Sequence, residues 1–121
     1  MKKLLFVEDD EVIGRIYSKK LGLGGFKVDW TQTVDAAIKA FNSNKYDVVA
    51  LDNTLDGSVS GLDLIPDIRK KLPSAIIIML SNSSQNQMKN KALKTGCDEY
   101  LVKLDTTPEM LIKTIDNLLK R

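Results

Sequence analysis

Glu8, Asp9, Asp10 and Glu11 stand in a row directly after the apolar segment LLFV, and a further acid, Asp52, directly follows the apolar segment VVAL. Ser81 follows IIIML, and Lys103 follows YLV. Each polar group therefore terminates a short apolar run. Carboxylates gathered in one place repel and raise one another's pKa values. A hard divalent cation relieves that conflict by taking their oxygens as ligands. A nearby lysine offsets the remaining charge, and a hydroxyl adds a neutral donor. Such a set suits a phosphoryl group: cation and lysine neutralise its oxygens while a carboxylate attacks phosphorus. Asp52 is the best candidate nucleophile, because it ends a wholly apolar run, whereas the acids at 8 to 11 are clustered as metal ligands are.

The composition narrows the alternatives. The chain has 121 residues and no histidine, which removes Ser-His-Asp and Cys-His catalysis and His-ligated zinc. Any metal must then be held by oxygen, which favours Mg²⁺ or a similar hard ion. Cys97 is the one cysteine, so no internal disulfide forms and a reducing, cytoplasmic setting is expected. The 18 basic and 16 acidic residues nearly cancel, and no dense basic block points to nucleic acid or an anionic membrane. The run Ala75–Leu80 is far too short to span a bilayer. The opening MKKLLFVEDD lacks the long apolar region and small-residue cleavage site of a signal peptide.

For the polar groups to meet, the elements must bring the ends of their runs to one place. Short apolar segments read as strands at Lys3–Val7, Phe26–Trp30, Asp47–Leu51, Ala75–Leu80 and Tyr100–Val102. Segments of helical spacing alternate with them. The first, Glu11–Leu21, places Ile13, Ile16, Tyr17 and Leu21 on one side. The others run over about Val34–Asn42, Leu62–Leu72, about Ser84–Lys94 and Pro108–Leu119. The fourth is mostly polar and offers only Met88, Ala92 and Leu93. Glycines 22, 24 and 25, Pro73 and Gly96 punctuate the helix ends, and Thr107-Pro108 reads as a cap with proline at the first helical position. Successive βα units imply a parallel sheet with helices on both faces, and residues 1–121 read as one α/β domain. In such a sheet ligands bind beyond the carboxyl ends of the strands, where the strand order reverses. All the candidate groups lie at those ends.

Simpler readings exist for some of them. Asp10 suits the cap of the first helix, and Glu11 its positive end. Tyr100 also reads as a half-buried strand aromatic. Trp30 ends the second strand as packing or loop cover and has no assigned role.

These residues and their order resemble the receiver domain of bacterial response regulators over essentially the whole chain. The stretch LLFVEDDE is similar to the family's acidic motif, IIIMLSN to its fourth-strand motif and GCDEYLVK to its lysine motif. The resemblance implies a doubly wound, flavodoxin-like fold with five parallel strands in the order 2-1-3-4-5 and five helices. It implies that Glu8 and Asp9 are the acidic pair, with Asp9 a direct Mg²⁺ ligand. Asp52 is then the phosphoacceptor, and Thr54 binds the metal through its backbone carbonyl. Ser81 bonds a phosphate oxygen, Lys103 is the family's lysine, and Tyr100 is the aromatic switch. The implied partners are a sensor histidine kinase or histidine phosphotransfer protein as donor, and a downstream protein as target. Lacking histidine, the chain is a phosphoacceptor and not the donor. It is expected to take part in its own phosphorylation and dephosphorylation rather than act as an enzyme. Its switch is the surface formed by the fourth helix, fifth strand and fifth helix.

Departures from the family pattern accompany the match. The loop DNTLDGSVSG is longer than usual and lacks a proline near Asp56. Asn82 replaces a small residue, and Leu104 follows Lys103 where proline is common. A non-proline cis bond costs roughly 3 kcal/mol, so the Lys103–Leu104 peptide is expected to be trans. Three rival functions follow from other features. LDNTLD resembles the nucleophile motif of haloacid-dehalogenase-type phosphatases, but Ala50 stands where that motif needs its attacking Asp. A receiver-like module that binds without phosphorylation is the second. A flavodoxin-like FMN binder is the third, and the row of acids after the first strand would repel its phosphate.

Overall fold

Residues along the three central strands alternate between two apolar clusters, and that alternation fixes the layers of the molecule. The computed structural model describes residues 1–55 and 59–120. Its strands are β1 (Lys2–Val7), β2 (Phe26–Thr31), β3 (Val48–Asp52), β4 (Ile76–Ser81) and β5 (Glu99–Val102). They pair in parallel in the order 2-1-3-4-5. The helices are α1 (Glu11–Leu23), α2 (Val34–Ser43), α3 (Gly61–Lys71), α4 (Asn86–Thr95) and α5 (Pro108–Leu119). Leu4, Phe6, Val48, Ala50, Ile78 and Leu80 face α1 and α5, through Leu21, Leu111 and Ile115. Leu5, Val7, Val49, Leu51, Ile77 and Met79 face α2, α3 and α4, through Phe41, Ile65, Ile68 and Ala92. The fold is therefore the expected flavodoxin-like, doubly wound sheet. No described helix is long and apolar enough to cross a membrane.

Four local features differ from the sequence reading. Ile16, expected on the buried side of α1, is half exposed. The helix turns its face to the sheet through buried Gly14 and Leu21, and Ile16 lies roughly 200° around from Gly14 at about 100° per residue. Gly22 belongs to α1 rather than to the turn after it. Leu93, counted among the apolar residues of α4, is partly exposed at 39%, and Ala92 is the buried residue of that helix. An antiparallel hairpin, Thr54–Leu55 with Val59–Ser60, also follows β3. The expected lack of proline near Asp56 falls outside the described residues.

That hairpin returns the chain directly over the end of β3. The Gly61 amide donates to the Asn53 carbonyl at 2.6 Å. A Cβ at Gly61 would collide with the backbone carbonyl of Asp52. Ser60 caps α3 by accepting from the Leu62 amide at 3.1 Å, while its hydroxyl donates to Asn53 Oδ1 at 2.8 Å. The backbone after Asp52 is thus pinned by the returning Ser60–Gly61 segment. Gly61→Ala is predicted to lower the unfolding free energy by about 1–3 kcal/mol in urea denaturation. Leu23→Ala, at a position 77% exposed, should stay within about 0.5 kcal/mol of the parent.

Candidate functional site

The register of the sheet brings the polar groups together. Val7 pairs with Leu51, so Glu8 follows beside Asp52. Asp52 pairs with Leu80, and the next residue of β4 is Ser81. Ser81 pairs with Val102, and the next residue is Lys103. Strand alternation then sorts them by face. Glu8, Asp52 and Lys103 continue the α1/α5 side of the sheet, whereas Ser81 and Tyr100 lie on the α4 side.

On the first side, the Lys103 ammonium bridges two buried carboxylates. It contacts Glu8 Oε1 and lies 2.8 Å from Asp52 Oδ2. Glu8 is 1% exposed and Asp52 6%. Burial pushes the Glu8 carboxyl up to about 7, and the Asp52 charge adds to this. Its bonds with Lys103 and the Asp10 amide work the other way. For Lys103, burial alone would lower the pKa, but the bonds to Asp52 and Glu8 outweigh it and leave the ammonium above its ordinary value. Lys103 is therefore a fixed positive charge. Asp9 is exposed beside this pair, and one carboxylate oxygen each from Glu8, Asp9 and Asp52 lie within 4.8 Å of one another. Hard oxygen donors at that separation fit a hard divalent cation. Thr54 sits in the first strand of the hairpin, two residues beyond Asp52.

Asp10 and Glu11 take the simpler roles. Asp10 caps α1 by accepting from the Ile13 amide at 3.0 Å, and its own amide donates to Glu8 Oε2 at 3.1 Å. Glu11 pairs with Arg15 at 2.6 Å on the open surface, where such pairs contribute little. Asn82 and Leu104 line the mouth of the cleft above Asp52, together with Ile13 and Tyr17. Leu104 is 87% exposed, and its peptide is trans as expected. Ala50, the position that rules against a dehalogenase-type nucleophile, is buried in mid-strand.

On the second side, Ser83 links Ser81 to Tyr100. The Ser83 amide donates to the Ser81 hydroxyl at 3.1 Å, and the Tyr100 hydroxyl donates to the Ser83 carbonyl at 2.6 Å. Tyr100 is buried, turned inward toward α4. The sequence reading passed over Ser83, and also two donors that brace the site. Tyr17 Oη donates to the Thr106 carbonyl at 2.6 Å, behind the turn that carries Lys103. Trp30 Nε1 donates to the Glu8 carbonyl at 2.9 Å. The available signal was chemical: a half-buried phenol or indole turns its polar edge to an acceptor.

Comparison with known proteins places this geometry in context. The family model of the response regulator receiver domain matches residues 4–116. The chain is 33% identical over 101 residues to the transcriptional regulatory protein QseB of Escherichia coli O157:H7, covering 84% of this chain and 46% of that protein. Among solved structures, the response regulator DrrB of Thermotoga maritima, an OmpR/PhoB homologue, superimposes with a TM-score of 0.89 at 28% identity. That match covers 100% of this chain and 54% of DrrB. A response regulator of Burkholderia pseudomallei, solved with a phosphorylated aspartic acid, calcium ion and citrate, gives 0.85 at 25% identity over 98% of this chain and 72% of its own. The chain spans about half the length of the curated relatives it matches.

The burial of Glu8 generates a prediction for the metal-free protein. Between about 4.5 and about 7 the folded chain holds a proton that the unfolded chain releases. This group therefore weakens the fold as pH rises through that window, and its penalty is complete above it. In the presence of a chelator, Glu8→Gln should melt several degrees above the parent at pH 8, with the gap closing by pH 5. Equal melting temperatures at both pH values would contradict the assignment.

Proposed function

This chain belongs to the response regulator receiver domain family, and on that premise we propose that residues 1–121 act as one receiver domain with Asp52 as phosphoacceptor. The observation that carries the reading is the Lys103 ammonium held between two buried carboxylates, Glu8 and Asp52, with Asp9 within reach of both. The donor is a phosphohistidine on a sensor kinase or phosphotransfer protein. An Asp52 oxygen bonds to phosphorus as the P–N bond breaks, and the electron pair leaves with the imidazole nitrogen, which takes a proton from water. The product is an acyl phosphate on Asp52. Water later attacks its phosphorus, releasing inorganic phosphate and restoring the carboxylate. The domain takes part in both steps but is a signalling element rather than an enzyme acting on a separate substrate.

Glu8, Asp9 and Asp52, with the Thr54 carbonyl, would hold Mg²⁺, which when bound neutralises charge on the phosphoryl oxygens. Lys103, in contact with both Glu8 and Asp52, supplies a second fixed positive charge beside the acceptor. Ser81 turns its hydroxyl to a phosphate oxygen. That motion draws on the Ser83 peptide, and Tyr100 is bonded to the same peptide's residue. The pull therefore passes from the α1/α5 side of the sheet to α4. Helix α4 suits a moving element: Gln85 gives it no side-chain cap bond and Ala92 is its one fully buried residue. The α4-β5-α5 surface then presents the signal to a downstream protein, in the cytoplasm. The phosphorylated aspartate in the Burkholderia relative supports this reading.

With Mg²⁺ and acetyl phosphate, the protein should gain one phosphoryl group by intact-mass spectrometry, lost after chelation. Asp52→Asn should gain none. A wild-type protein that binds neither Mg²⁺ nor phosphate would instead support the receiver-like module that signals without phosphorylation. Ser81→Ala should still accept the group. In hydrogen–deuterium exchange, phosphorylation should change α4 and β5 in the parent but leave them unchanged in that variant.

A further inference from the structure

Trp30, the chain's one tryptophan, sits opposite Phe6 in the pairing of β2 with β1. That ladder ends at Val7 and Thr31. Two contacts carry it one residue further. The Glu8 amide donates to the Thr31 carbonyl at 3.0 Å, and the Trp30 indole N–H reaches forward to the Glu8 carbonyl at 2.9 Å. Both backbone polar groups of Glu8 are thus held by β2. The Glu8 carbonyl belongs to the planar peptide that leads into Asp9, so fixing it sets the direction in which Asp9 leaves the strand.

The opposite wall is shaped to allow this. Gly14 is buried in α1, and a Cβ there would collide with the Cε2 and Cζ2 atoms of the Trp30 indole. Glycine in a helix interior is unfavourable relative to alanine, so its presence is explained by the space the indole needs. Packing alone does not account for the arrangement, because the ring's polar edge meets the one carbonyl that joins Glu8 to Asp9.

We propose that Trp30 is a positioning residue for the Glu8–Asp9 acidic pair, and that Gly14 is the space through which its indole reaches them. This rests on the reading of Glu8, Asp9 and Asp52 as a cation site. Asp9 is exposed and has a loop backbone, so without this tether the cation would have to order it on binding. Losing the indole bond should therefore weaken affinity for the cation without blocking chemistry once the cation is saturating.

The test is calorimetric titration of the protein and of Trp30→Phe with Mg²⁺, with melting temperatures recorded in parallel. Phenylalanine keeps most of the apolar volume and removes the donor. The dissociation constant should rise roughly two- to tenfold, the effect of one hydrogen bond. Phosphorylation by acetyl phosphate at saturating Mg²⁺ should be nearly unchanged. A lower melting temperature with an unchanged dissociation constant would reduce Trp30 to packing and overturn the proposal. Should the variant fail to fold, the parent decides the matter: its one indole N–H resonance should shift during a Mg²⁺ titration with the calorimetric midpoint. No shift at saturation would overturn the proposal. Failure of the parent itself to bind Mg²⁺ would remove the cation site, and this inference with it.

Discussion

The structure depends on keeping two carboxylates, Glu8 and Asp52, out of water and beside each other. Burial disfavours the charged form of Glu8, and the neighbouring Asp52 charge adds to this. Removing a partner from such a buried set is costly because a charge is left uncompensated. Lys103 is that partner, bonded to both acids and held above its ordinary pKa by them. The neighbouring backbone is correspondingly tied down. The Asp10 amide binds Glu8, the Trp30 indole holds its carbonyl, and the hairpin clamps the end of β3.

The parallel sheet makes this possible by its regularity. One residue of register carries each strand from core to rim, so Val7, Leu51, Leu80 and Val102 anchor the residues that follow them. The strand period of two then divides labour between faces. Charge is concentrated on the α1/α5 side, where Phe6 stacks on Tyr17 with ring centroids 5.6 Å apart and Tyr17 braces the Thr106 carbonyl. Hydroxyls are placed on the α4 side, where the Ser81–Ser83–Tyr100 chain runs. The proposed chemistry and its proposed readout therefore lie on opposite faces of the same sheet, meeting at the ends of β3 and β4.

Much of this was legible in the sequence. Apolar runs marked every strand of the main sheet to within about one residue at either end, and Thr107-Pro108 located the start of α5. The acids, Ser81 and Lys103 were legible as a group because βα succession puts all strand ends on one rim. The simpler reading of Asp10 as a cap also held. Two of the misses depend on contacts between segments far apart in the chain, and one on the shortness of its elements. Ile16 looked buried because helical spacing alone does not say which face meets the sheet, and the answer was set by Gly14 meeting Trp30. The hairpin strands carry only two residues each, too few for a period to register. The role of Ser83 is invisible until its amide and carbonyl are seen facing different partners.

The most direct measurement is to locate the phosphoryl group chemically. After incubation with Mg²⁺ and acetyl phosphate, borohydride reduces an aspartyl phosphate to homoserine, which peptide sequencing by mass spectrometry identifies. Homoserine should appear at position 52 alone. Reduction at Asp9 or Asp10 in place of Asp52, or a stable phosphate on Ser81 with no reducible acyl phosphate, would contradict the assignment of the buried carboxylate beside Lys103 as the acceptor.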